Sequence, residues 1–242
     1  MVTLDEHDRD AGAVIGLIRG GDHAGLTRLL DRRPELATAR LGGREGTRTT
    51  LHVATDWPGY FPDGPRIVEL LIARGADPNA ATAGPGDPET PLHWAASSDD
   101  LDVAAALIDG GADIDVPGGS IGTPLENAVG YGCWEVARLL QARGAPVRYL
   151  WVAAGLGLLG DLQQRFSQAP DLTRDELNHA FWQACHGGHR RVAEYLLDHG
   201  ADPHATPDHN DTPPIEIAAQ PGTRRDLLVE WLGQRIEPSP GR

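Results

Sequence analysis

"TPLHWAA", residues 90–96, is the stretch on which the reading of this chain turns. Thr is a good N-cap because its hydroxyl accepts an orphan N–H of the first turn. Pro fits the first helical position, where its fixed φ suits the helix and no N–H is needed. Leu and two alanines then supply an apolar face that a neighbour can approach closely. The phrase returns as "TTLHVA" (49–54) and as "TPLENA" (123–128), with Glu126 where the other copies have His52 and His93. Ala95 and Ala128 stand 33 residues apart. A second phrase closes each unit: "LIARGADPNA" (71–80), "LIDGGADIDV" (107–116), "LQARGAPVRY" (140–149) and "LLDHGADPHA" (196–205). From Ala95 to Gly111, Ala128 to Gly144 and Ala184 to Gly200 the gap is 16 residues each time. A fixed period of this size is the mark of a repeat architecture, in which no unit buries its apolar face alone.

The T-P-L-H-x-A phrase at this period resembles the ankyrin repeat over nearly the whole chain. The resemblance implies an all-α solenoid of about seven helix pairs with short β-hairpin fingers between pairs. It also implies that His52 and His93 hydrogen-bond backbone across the layer. The expected organisation is one domain over 1–242, with a capping helix pair at 13–33, central repeats over 49–200 and a capping repeat at 212–234.

Two irregularities interrupt the period. Ala54 to Gly75 is 21 residues, so five extra fall within "TDWPGYFPDGP" (55–65), an inserted interhelix loop at 57–65. Gly144 to Ala153 is only 9 where Gly111 to Ala128 is 17, so a finger is deleted near 145–148. Pro58, Pro62 and Pro65 stiffen the insertion by limiting its unfolded freedom. "LHVATDWPGYFPDGP", "ETPLHWAASSDD" and "FWQACHGG" are similar to a group of stand-alone bacterial ankyrin proteins carrying the same loop. That similarity covers most of 47–200 and implies no particular activity.

The net charge of −14 repels phosphate backbones and anionic lipid, so neither nucleic acid nor a membrane surface is an expected partner. The start, "MVTLDEHDRD", lacks the basic and apolar regions of a secretory signal, and no run approaches the roughly 20 apolar residues of a membrane span. Cys133 and Cys185, outside any C-x-x-C unit, read as buried reduced thiols, and a cytoplasmic location is expected.

Two motifs invite chemistry and are read structurally. "GLGLLG" (155–160) is a literal G-x-G-x-x-G, but it follows a helix, whereas a dinucleotide site needs it after a strand. It is expected to be an interhelix turn, with no cofactor. "CHGGH" (185–189) lacks a second cluster to complete tetrahedral zinc, so no metal is expected.

The functional expectation rests on positions after the signature His and at the ends of first helices, where a stacked array presents side chains along its concave side. These include Asp56 and Trp57; Trp94, Ser97, Ser98 and Asp99; Asn127 and Tyr131; Gln183 and His186. Tyr60 and Phe61 join them from the inserted loop. Aromatic anchors among a few polar groups suit a protein-binding surface. The expected function is therefore a protein-binding scaffold, with no catalytic residues and a partner of neutral or basic surface. The alternative is a small-molecule or enzyme site in the same groove, with Asp56, Asp99 or Glu126 as acid/base and His186 as a second titrating group. A loop aromatic is expected to reach the Trp94 ring, and the groove to stay open.

Overall fold

The computed structural model describes residues 2–5, 7–43, 46–168, 172–220 and 225–236. Seven helix pairs occur among them: α1 (Arg9–Arg19) and α2 (His23–Arg32), α3 (Thr50–Ala54) and α4 (Gly64–Ala73), α5 (Pro91–Ser98) and α6 (Leu101–Asp109), α7 (Pro124–Tyr131) and α8 (Trp134–Ala142), α9 (Leu150–Gly155) and α10 (Leu159–Gln168), α11 (Arg174–Gly187) and α12 (Arg190–Asp198), α13 (Pro214–Ala218) and α14 (Asp226–Ile236). They divide into two compact units, Met1–Pro146 and Val147–Arg242. The division falls where the finger is missing: residues 145–149 form no strand, and α9 starts directly after them.

The period of 33 is visible as a repeated burial register. The second helices bury Ile67, Val68 and Leu71; Val103, Ala104 and Leu107; Val136, Ala137 and Leu140; Val192, Ala193 and Leu196. Each triplet is i, i+1, i+4, one stripe of a 3.6-residue helix. The first helices bury Leu51, Leu92 and Leu125 together with Ala54, Ala95, Ala96 and Ala128, small residues that let α5 pack closely on α7. Removing a buried Leu from such a stripe costs about 2–5 kcal/mol, because the array cannot collapse around the gap.

The signature is a hydrogen-bonding device. Thr49 N–H donates to His52 Nδ1 at 3.1 Å, and Thr90 N–H to His93 Nδ1 at 3.1 Å. The other ring nitrogen of each reaches the next finger: His52 Nε2–H to the Glu89 carbonyl (2.9 Å) and His93 Nε2–H to the Gly122 carbonyl (3.1 Å). Thr123 N–H donates instead to Glu126 Oε2 at 2.8 Å, which closes a capping box with the Thr123 hydroxyl. A carboxylate has no N–H for a following finger, and in this copy the following finger is the one that is deleted. Glu126 is therefore the residue that needs only the inner arm.

The fingers are less regular than expected. Among the described residues one hairpin forms, between β2 (Arg40–Gly43) and β3 (Gly46–Thr49), with β1 (Thr3–Leu4) parallel to β2 on its other side. The next finger adds only an isolated bridge, Thr47 with Ala83. The later fingers form no strand among the described residues, because their Pro and Gly content leaves few N–H groups in register. The first pair starts earlier than the expected 13–33, at Arg9, and ends at Arg32; the last runs from Pro214 to Ile236 against the expected 212–234, and residues 221–224 within it lie outside the described residues.

Candidate functional site

The inserted loop runs from Thr55 to Asp63, with Gly64 and Pro65 already inside α4. It is held on both flanks. Towards the preceding pair, Pro62 sits against Gly21 so tightly that a Cβ on Gly21 would lie 2.3 Å from the Pro62 carbonyl oxygen. The Arg19 guanidinium lies over the Phe61 ring at 5.9 Å. Towards the following pair, Tyr60 N–H donates to Asp100 Oδ2 (2.6 Å) and the Tyr60 hydroxyl to the Asp99 carbonyl (2.5 Å). Asp100 is also the N-cap of α6, so one buried carboxylate fixes both a helix start and the loop. Asp56 braces the loop base: it pairs with Arg19 of α1 and, at 3.0 Å, with Arg48 of β3.

Pinned this way, the loop leaves Trp57 79% exposed at the edge of an open groove of about 240 Å³. Trp57, Trp94 and Tyr131 supply aromatic surface there, with Asp56, Glu89, Ser97, Ser98 and Ser120 between them. The Trp94 ring meets the His52 ring in a T-shaped arrangement (centroids 4.9 Å apart) and is approached by Arg48 (5.9 Å). No ring contact from the loop aromatics to Trp94 is found among the described residues, contrary to expectation; Tyr60 is drawn away by its bonds to Asp99 and Asp100.

Glu89, unnoticed in the sequence, organises the groove wall. Its Oε2 accepts the Trp94 indole N–H at 2.8 Å, while Oε1 accepts Ser120 N–H (3.1 Å) and the Asn127 amide (3.4 Å). Ser120 Oγ meets the Tyr131 hydroxyl at 2.9 Å, which extends the network across the groove. Its signal in sequence is position: Glu89 and Arg48 both stand immediately before a capping Thr, and both meet Trp94.

Of the expected site residues, Asp56, Trp57, Trp94, Ser97, Ser98 and Tyr131 line this groove. Tyr60 and Phe61 clamp the loop instead. Asp99 turns away: its Oδ1 accepts Val136 N–H at 2.9 Å in the first turn of α8, and burial raises its carboxyl above the usual range. Asn127 is fully buried, with its Oδ1 accepting Ile121 N–H and Gly122 N–H at 3.1 and 3.3 Å. These two have structural partners because a helix end and a tight turn both leave N–H groups to be met. Gln183 and His186 belong to the second unit. Gln183 is fully buried, and its amide oxygen and nitrogen have no hydrogen-bond partner among the described residues. His186 packs on Trp182, centroids 5.0 Å apart, and burial pushes its pKa down to about 4. Each carboxylate among the acid/base candidates has a structural partner: Asp56, in the groove lining, two arginines, Asp99 the start of α8 and Glu126 Thr123.

"GLGLLG" spans the end of α9, a turn and the start of α10. Gly157 has φ +74°, and a Cβ there would lie 2.4 Å from His189 Nδ1, so the glycine is required by close packing. Cys133 is the N-cap residue of α8, outside the first helix, and burial pushes its thiol up to about 12. Cys185 is buried in α11 and shifted the same way. Among the described residues no group of three or more His, Cys, Asp or Glu side chains is arranged to hold a metal ion, and no helix is long and apolar enough to cross a membrane.

A family model described as ankyrin repeats in three copies matches residues 51–149, and one described as the ankyrin repeat matches 176–208. The nuclear factor NF-kappa-B p105 subunit of Gallus gallus is 31% identical over 140 residues, which are 57% of this chain and 13% of that protein. The chain therefore spans only a small part of that relative's length.

Proposed function

Because this chain belongs to the ankyrin-repeat family, whose repeats generally mediate protein–protein interaction, we propose that it is a protein-binding scaffold whose contact surface is the groove beside the 55–63 loop. The observation that carries this reading is Trp57: a large aromatic held 79% exposed by a loop clamped on both flanks. A rigid exposed aromatic offers much contact area with little ordering cost on binding. The groove's openness and its small volume, about 240 Å³ against the roughly 300–1,000 Å³ of small-molecule sites, favour a protein surface over a metabolite. The chain's acidity favours a partner with a neutral or basic face, and its reduced thiols suit the cytoplasm.

The test is affinity capture from native cytosol by the native chain, by Trp57→Ala and by a chain lacking residues 58–62, each first shown to melt normally. Both variants are expected to lose the partner that the native chain retains. Equal capture by all three would move the binding surface elsewhere.

A further inference from the structure

The groove's charges are not evenly matched. Asp56 is paired with Arg19 and with Arg48. Glu89 has neutral donors only: the Trp94 indole, the Ser120 backbone N–H and the Asn127 amide. No cation stands within ion-pairing distance of its carboxylate among the described residues. Three neutral donors orient a carboxylate but leave its full charge in place. That charge lies in a groove whose exposed aromatics, Trp57 and Tyr131, present rings that attract cations. The same wall already shows this preference internally, since Arg48 lies over Trp94 at 5.9 Å.

We propose that the groove is a seat for one basic side chain, arginine or lysine, of the protein partner, with Glu89 as counter-ion and Trp57 and Tyr131 flanking the aliphatic stem. The inference rests on the protein-binding reading and specifies what that partner inserts. An acidic residue is disfavoured: Arg19 and Arg48 are committed to Asp56, so an incoming carboxylate meets Asp56 and Glu89. A purely apolar anchor leaves the Glu89 charge desolvated without compensation, which costs more than the aromatic contact returns. A cavity of about 240 Å³, open to solvent, suits a single long side chain that buries its stem and is held at its head.

The experiment uses capped pentapeptides, Gly-Gly-X-Gly-Gly, with X as arginine, lysine, citrulline, norleucine or glutamate. Binding at millimolar concentration is read from the indole N–H signals of Trp57 and Trp94 in the ¹⁵N-labelled native chain. Saturable shifts are expected with arginine and lysine, and affinity about tenfold lower with citrulline, which keeps arginine's shape but loses its charge. Glu89→Gln retains an acceptor for Trp94 but sets its amide NH2 against the Ser120 and Asn127 donors, so arginine affinity is expected to fall by about tenfold alongside a small drop in melting temperature. Citrulline or norleucine binding as well as arginine, glutamate binding better, an unaffected Glu89→Gln, or no shift with any peptide would each overturn the seat. The two readings separate cleanly. Partner capture lost in Trp57→Ala but kept in Glu89→Gln would sink the seat and leave the scaffold standing. Arginine binding that requires Glu89, with partner capture indifferent to Trp57→Ala, would keep the seat and sink the groove as the partner surface.

Discussion

The Nε2–H of His52 donates to the Glu89 carbonyl across 2.9 Å, while its Nδ1 accepts from Thr49 N–H. One neutral imidazole thus ties the start of α3 to the finger that carries the groove's carboxylate. The Nδ1 bond requires the ring to remain uncharged, because a proton there would face the Thr49 N–H donor; the Nε2–H bond to Glu89 can be made in either state.

That requirement makes stability depend on pH. Burial pushes the His52 pKa from 6.5 down to about 4. The unfolded chain takes up the proton near pH 6.5, whereas the folded one resists until about pH 4. The stabilisation is therefore complete above pH 6.5 and is lost as pH falls towards 4, by on the order of 1 kcal/mol per unit. His179 and His186, also held near 4, and His93, shifted downward too, act in the same direction. Urea unfolding between pH 7.5 and 4.5 is expected to show a falling midpoint, with a shallower slope in His52→Gln. A flat profile would mean that folded and unfolded chains bind protons alike.

Gly21→Ala is expected to unseat the inserted loop. Its φ of +66° and the 2.3 Å approach to the Pro62 carbonyl penalise a side chain twice, by about 2–4 kcal/mol in all. Gly200→Ala, with φ +97° and open space around its Cβ, carries only the backbone penalty of about 1 kcal/mol. Thermal denaturation ranks the two, and protease cleavage near residue 57 should accelerate in the first alone. Equal costs would show that the loop does not lean on Gly21.

Gln183→Leu is expected to stabilise the second unit. The amide is fully buried on α11, which packs against α9 and α13, and neither of its polar atoms has a partner among the described residues. Removing such a group in favour of an apolar one of similar volume returns about 1–3 kcal/mol. A lower denaturation midpoint in the variant would reveal a bond that the folded chain makes in solution.

The glycine-rich turn should ignore dinucleotides. Millimolar NAD(H) or FAD is expected to leave the melting temperature unchanged, whereas a ligand bound to the native state alone would raise it. Gly157→Ala, by contrast, should lower it, because its Cβ meets the His189 ring. A saturable rise with either dinucleotide would reverse the reading of 155–160.

Features that depend on near neighbours can be read from the residues alone. The Thr-Pro caps, the buried stripes such as Val103, Ala104 and Leu107, and the site of the missing finger follow from spacing, since a helix brings i, i+1 and i+4 to one face whatever surrounds it. The insertion was legible for the same reason: five residues break a regular count. Trp94 was legible as a groove residue because its repeat position is fixed, and Trp57 because it stands where the insertion leaves the end of a first helix. How distant segments share their polar groups emerges only when the chain is folded. Tyr60 bonds to Asp99 and Asp100, 39 and 40 residues away, so it clamps the loop and is lost to the groove. Asp99 and Asn127 stand at surface-facing repeat positions, yet unpaired N–H groups of α8 and of the 121–122 turn claim them. Glu89 carries no motif of its own. It becomes the groove's charged centre only because stacking brings Trp94, Ser120 and Asn127 to its carboxylate, while the nearby arginines are drawn to Asp56. Local periodicity fixes where a side chain stands; competition among donors and acceptors brought together by packing fixes what it does there.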